Sequence, residues 1–217
     1  MTRLAVFDCD GTLVDSQANI CRAMEEAFAA ARLAPPMRQD IRRIVGLSLV
    51  EAVTALLPDA DPALHRSLAA AYKANFFRMR SSGELDPEPL FDGIPDVIAA
   101  LLDAGWVLGI ATGKSDRGLT HILAHHALTA HFVTLQTADR HPSKPDPAML
   151  RAAIDEAGAA PETTAMIGDT SFDMVMARSA GVRAIGVAWG YHPAEELLAT
   201  GAHSVADSPR ALMAHLS

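Results

Sequence analysis

Short, mostly apolar runs that recur between helical stretches restrict this chain to a parallel α/β sheet. Leu4–Phe7, Trp106–Ala111, Phe132–Leu135, Ala165–Ile167 and Ala184–Val187 lack the polar alternation of a half-exposed strand, so each reads as a strand covered on both faces. Strands of that kind, separated by helices, build a Rossmann-like sheet with a helical layer on each side.

The alternation stops between about Ser16 and Ser81, where only helical periodicity is found. Ile20, Met24, Ala27, Phe28 and Ala31 share one helical stripe, and Pro35-Pro36 is expected to end that helix. Val50–Leu57 and Pro62–Met79 read as further helices. The chain returns through residues 83–89, whose two prolines and acidic residues suit an exposed linker. The expected organisation is an α/β core of residues 1–15 and 88–217, interrupted by an all-helical cap of residues 16–87.

Composition removes several classes of function. Half the residues are hydrophobic, yet no apolar run approaches the roughly 20 residues that span a bilayer, so no membrane role is expected. The start, Leu4-Ala5-Val6-Phe7, is too short for the apolar stretch of a signal peptide, which implies a cytoplasmic location. Cys9 and Cys21 are then expected as free thiols. A formal charge of −8 argues against a nucleic-acid partner, since backbone binding draws on an excess of lysine and arginine. A small anionic substrate is still accommodated, because a local cation or metal governs the field inside a pocket.

The chemistry concentrates at strand ends. Asp8-Cys9-Asp10-Gly11-Thr12 follows the first strand directly, and ligands of open parallel sheets bind outside the carboxyl ends of their strands. The second strand runs into Thr112-Gly113-Lys114-Ser115, a strand-to-helix turn able to aim a hydroxyl and backbone N–H groups at an anion. Ser143-Lys144-Pro145-Asp146 brings an ammonium before a helix starting near Ala148, and Gly168-Asp169-Thr170-Ser171-Phe172-Asp173 ends another apolar strand with two carboxylates. Thr112, Lys144 and Asp169 taken singly are also ordinary caps or surface groups. Together they converge on one sheet edge.

Those residue types suit phosphoryl transfer through magnesium, which takes hard oxygen ligands such as Asp8, Asp169 and a backbone carbonyl near Asp10, with Asp173 directing a bound water. A carboxylate is a nucleophile toward phosphorus once the phosphate charge is masked, here by magnesium, Lys144 and Thr112. Asp10 is placed to protonate the leaving oxygen and then to activate water.

Over essentially the whole chain these segments resemble the haloacid dehalogenase superfamily, and within it the phosphoglycolate-phosphatase-like group. Val6 to Ser16 looks like the first motif of that family, and Thr112, Lys144 and Gly168-Asp169 with Asp173 look like the second, third and fourth. The resemblance implies Asp8 as nucleophile, Asp10 as acid and base, and a magnesium site formed by the first and fourth motifs. It also implies a helical cap that supplies substrate contacts. Arg42–Ser48 is the candidate stretch there, with Arg43 reaching an anionic leaving group or else lying on a solvated helix face. Gly113 stands where relatives often carry asparagine, so it offers only backbone to the phosphate.

The expected activity is hydrolysis of a small phosphomonoester, phosphoglycolate by default. A sugar-phosphate mutase or a pyrophosphatase of the same superfamily is the alternative, and a phosphoryl-accepting receiver domain is the alternative of another class. Asp10 argues against metal-free dehalogenases, and a lone cap lysine, Lys73, against phosphonate cleavage. His121, His125 and His126 are expected to be solvated, and Cys9 to be an inert buried thiol. Trp189-Gly190-Tyr191 either lines the site or packs under the final loop.

Overall fold

The computed structural model describes residues 1–216. In chain order the elements are β1 (Leu4–Phe7), α1 (Gln17–Ala30), α2 (Arg38–Arg43), α3 (Leu49–Leu56), α4 (Pro62–Ser82), α5 (Ile94–Asp103), β2 (Val107–Thr112), α6 (Asp116–His125), β3 (Thr134–Thr137), α7 (Ala148–Ala157), β4 (Thr164–Gly168), α8 (Ser171–Ser179), β5 (Arg183–Val187), α9 (Ala194–Thr200), β6 (Ser204–Ala206) and α10 (Leu212–Leu216). The six strands form one parallel sheet in the order β3-β2-β1-β4-β5-β6.

Strand alternation divides the core into two layers. Ala5, Phe7, Ile110 and Ile167 face α5, α6 and α10, whereas Leu4, Val6, Ala111 and Met166 face α7 and α8. A third cluster belongs to the segment between β1 and α5: Met24 and Phe28 of α1 pack with Ile41, Val53 and Leu68 of the next three helices. The fold is therefore a Rossmann-like core carrying an inserted helical cap. Its two connections run side by side, with Asp15 N–H donating to Pro89 O (2.9 Å) and Asn19 exchanging two hydrogen bonds with the Asp86 backbone.

Several boundaries differ from the sequence reading. Pro35-Pro36 does not end the first helix; it stops at Ala30, and Arg32 then takes a left-handed φ of 58°. The third strand begins at Thr134 rather than Phe132, because the aromatic ring is buried by an edge contact with Phe7 before the ladder starts. Its second half, Gln136-Thr137, is polar but satisfied, Gln136 by Thr134 and Glu156 and Thr137 by Asp116. The short edge strand β6 carries too little apolar pattern to read from sequence.

Candidate active site

β1 is the middle of the sheet edge that carries the chemistry. Phe7 is in register with Ile110 of β2 and Ile167 of β4, so the residues leaving these three strands emerge together. Asp8 follows β1, Asp169 follows β4 and Thr112 closes β2. Asp8 N–H continues the ladder to Ile167 O at 2.9 Å, which fixes the start of the loop that follows β1. The turn after it needs glycine: Gly11 has φ +82°, and a Cβ there would lie 2.2 Å from Asp169 Oδ2.

Asp8, Asp169 and Asp173 are fully buried and offer oxygens within 4.8 Å of one another. Each is held differently. Asp8 Oδ1 accepts from Cys9 N–H (2.7 Å) and lies 3.0 Å from the Lys144 ammonium, while its Oδ2 is buried with no partner. Asp169 accepts from the Thr12 hydroxyl (2.8 Å) and from Tyr191 N–H (2.9 Å). Asp173 accepts from Lys144 (2.7 Å) and from the backbone and hydroxyl of Thr170, closing a capping box on α8. The capping role weighed for Asp169 belongs to Asp173 instead.

The charge balance is unfavourable to the carboxylates. Burial pushes the Asp8 carboxyl up to about 7, against the pull of Lys144, with Asp173 adding to the rise. Burial and the neighbouring Asp8 and Asp173 push Asp169 well above the usual range. Lys144 is also fully buried; desolvation opposes its charge, but Asp173 and Asp8 outweigh it and hold the ammonium above its ordinary value. One buried cation thus faces three buried acids.

Asp10 stands apart from that cluster. Its Oδ1 accepts from the Ser16 hydroxyl and lies 2.8 Å from Lys114 Nζ. Asp8, Asp10, Thr112, Gly113 and Lys114 line a cleft of about 560 Å³ between core and cap, closed on the cap side by Met24, Leu49, Tyr72 and Phe76 among others. The Thr112 hydroxyl accepts from Lys114 N–H at 3.2 Å. Gly113 touches the cap directly, since a Cβ there would lie 2.6 Å from both Gly46 O and Leu47 O.

Arg43 does not line this cleft. Its guanidinium pairs with Glu196 at 2.9 Å, and the cap loop instead offers residues 44–50 to the cavity. Lys114, Ser16 and Thr12 received no role from sequence. Lys114 sits two residues after Thr112, a spacing that alone does not separate an active-site ammonium from a surface one. Trp189 packs against the sheet core and donates to Thr12 O (3.0 Å), whereas the Tyr191 ring joins the cap cluster. His121 and His125 are exposed, and His126 meets Glu88 O. Cys9 is buried, and burial raises its thiol well above the ordinary value.

The model of the haloacid dehalogenase-like hydrolases matches residues 5–187. A probable phosphatase, IndB, of Dickeya dadantii (strain 3937) is 35% identical across 96% of this chain and 90% of that protein. A phosphoglycolate phosphatase of Agrobacterium fabrum is 33% identical across 88% and 82%. Among solved structures, a hydrolase from Pseudomonas syringae superposes with a TM-score of 0.86 at 26% identity, covering 100% of this chain and 98% of that one. With the carboxylate cluster at the sheet edge and this match over most of its length, the chain belongs to the haloacid dehalogenase-like hydrolase family.

Proposed function

We propose that this enzyme is a magnesium-dependent phosphatase that transfers the phosphoryl group of a small phosphomonoester to Asp8 and then to water. The observation that carries the reading is Asp8 Oδ2, a buried carboxylate oxygen with no protein partner at the floor of a cleft. An orphaned buried acceptor costs free energy unless function uses it.

The donor set fits magnesium. Three buried carboxylates within reach of one ion supply hard oxygens, and the upward push on Asp8 and Asp169 marks a deficit of positive charge there. Asp8 and Asp169 would hold the ion together with a backbone carbonyl near Asp10, and Asp173 would act on its outer shell. Bound there, magnesium neutralises phosphate charge and so lets a carboxylate approach phosphorus.

The chain's own residues account for the proton and bond changes. Asp8 Oδ2 forms the bond to phosphorus as the ester P–O bond breaks, and Asp10 gives the departing alkoxide its proton. Asp10 then takes a proton from water, whose oxygen attacks the same phosphorus and releases Asp8 with inorganic phosphate. Lys144 and the Thr112 hydroxyl hold the phosphoryl oxygens, and Gly113 presents backbone to them. We assign residues 16–87 as the cap that closes over the leaving group. Phosphoglycolate is the default ester, supported by the names of relatives such as the Agrobacterium protein. A cytoplasmic setting is supported by two free buried cysteines, and no helix among the described residues is long and apolar enough to cross a membrane.

Acid quenching of the enzyme with substrate labelled in the phosphoryl group is expected to leave label on the peptide bearing Asp8. Asp8→Asn is expected to lose both label and phosphate release while folding normally. A folded Asp8→Asn that still hydrolyses the ester would sink the nucleophile assignment, and turnover undiminished by thorough chelation would remove magnesium from the scheme.

A further inference from the structure

The two lysines beside the catalytic aspartates are not equivalent. Lys144 belongs to the phosphoryl side: its side chain has no exposure, and Asp8 and Asp173 both pair with its ammonium. Lys114 keeps some exposure, 12% of its side chain, and lines the cleft. Asp10 is its one ion-pair partner among the described residues. An ammonium has three donors, and a single carboxylate oxygen does not use them all.

Position gives those spare donors a target. In the reaction proposed above, Asp10 meets the ester oxygen of the leaving alcohol. Lys114 Nζ is 2.8 Å from Asp10, so whatever lies next along the leaving alcohol reaches the ammonium. Of the other cations that line the cleft, Arg117 stacks on the Phe77 ring (4.5 Å) and Arg80 on Phe76 (6.0 Å), while Arg66 and Lys73 belong to α4; Lys114 is the one paired with Asp10. Tyr72 and apolar side chains such as Met24 and Leu49 line the same cleft.

We infer that Lys114 is the residue that reads the leaving group, and that it selects phosphate esters of short hydroxy acids by binding their carboxylate. The inference rests on the phosphatase reading and deepens it. Two hydrogen bonds of about 3 Å, from Asp10 to the ester oxygen and from Lys114 to the anion, leave room for only one or two carbons between those groups. A carboxylate suits the place better than a second phosphate, because the buried Glu88 stands close enough to Lys114 to act on its charge and would repel a dianion more strongly.

The test compares phosphoglycolate with ethyl phosphate, which lacks only the carboxylate, and with ethylene glycol bisphosphate, which carries a phosphate in its place. p-Nitrophenyl phosphate serves as a general ester, and all are assayed with magnesium. The wild type is expected to favour phosphoglycolate over ethyl phosphate in kcat/KM by about 30-fold or more, the worth of a charge-assisted hydrogen bond. Lys114→Met is expected to depress both esters but to collapse that ratio to near unity, chiefly through KM for phosphoglycolate. Lys114→Arg, which keeps the charge, is expected to retain most of it.

An equal loss on both esters in Lys114→Met would show that Lys114 serves only Asp10 and would overturn the inference. A wild type that ignores the carboxylate, or prefers the bisphosphate, overturns it without any variant. Release of phosphate from p-nitrophenyl phosphate keeps the phosphatase reading intact in all those cases; absence of release from every ester overturns that reading as well. If Lys114→Met does not fold, the wild-type comparison and Lys114→Arg still decide.

Discussion

Core and cap place their residues by different physics. In the core, Asp8 and Asp169 follow strands directly and Thr112 closes one, and the register of these strands is fixed by rows of parallel hydrogen bonds, from Phe7 against Ile110 and Ile167 to Thr112 against Thr137. The cap meets that edge through a few single contacts. Ser48 N–H donates to Ser143 Oγ at 2.7 Å, His192 Nε2 reaches Arg43 O at 3.1 Å, and the Gly46 and Leu47 carbonyls rest on Gly113. Displacing a strand costs a whole ladder, whereas lifting the cap costs separate contacts of this kind, the Arg43–Glu196 pair, the Arg117 stack on Phe77 and the packing of Tyr191 among them. The core is therefore suited to the chemistry and, through Lys114, to reading the leaving group, and the cap to the step that admits the substrate.

The sharpest way to break this division is a core residue that touches no leaving group. Asp169→Asn is expected to lower kcat/KM more than about 100-fold on every ester alike, because it removes a carboxylate from the cluster proposed to hold magnesium. It has a readout independent of turnover. Magnesium at 100 times its dissociation constant is expected to stabilise the wild type by about 2.7 kcal/mol, and thermal unfolding should show that shift vanish in the variant. A loss confined to one ester would mean that Asp169 also takes part in selection.

Gly113 lies where the two regions touch, and its effect is expected to be intermediate. A methyl group at 113 meets backbone carbonyls of the cap rather than a flexible side chain, so the cap loop must retreat. Gly113→Ala is expected to cost about 1–3 kcal/mol of stability, as overpacking does, and to raise KM several-fold, with the magnesium-induced shift in unfolding unchanged. Denaturant unfolding and steady-state kinetics on one preparation would check both. A wild-type KM in the variant would show that the cap seats elsewhere when substrate is present.

The same division sets what could be read from sequence. Buried parallel strands announce themselves by composition, and Asp8, Thr112 and Asp169 were legible because they follow such strands at once. Thr134 to Thr137 was displaced in that reading because half of the strand is polar and its partners, Asp116 and Glu156, come from distant helices. The partners within the site were hidden for the same reason. Nothing local tells that Thr12 supports Asp169, 157 residues away, or that Lys114 faces Asp10 rather than solvent. The cap segment was legible as helices, but its periodicity does not say which of its residues look into the cleft.

Arg43 illustrates that last point and carries the smallest expected effect. The likeness of Arg42–Ser48 to a substrate-contacting cap stretch suggested a residue reaching for the substrate, but α2 directs the Arg43 side chain to Glu196, which also lies 3.0 Å from His192 Nδ1. The pair is more than half exposed on the arginine side, where solvent and the entropy of a long side chain offset most of the Coulomb gain. Arg43→Ala is accordingly expected to cost at most about 1 kcal/mol of stability and to change kcat/KM less than about threefold. Because Arg43 O, not its side chain, meets His192, the cap keeps that contact in the variant. A tenfold rise in KM with unaltered kcat would reverse the conclusion: the arginine would then leave Glu196 for the substrate when the cap closes, and selection would be shared between cap and core.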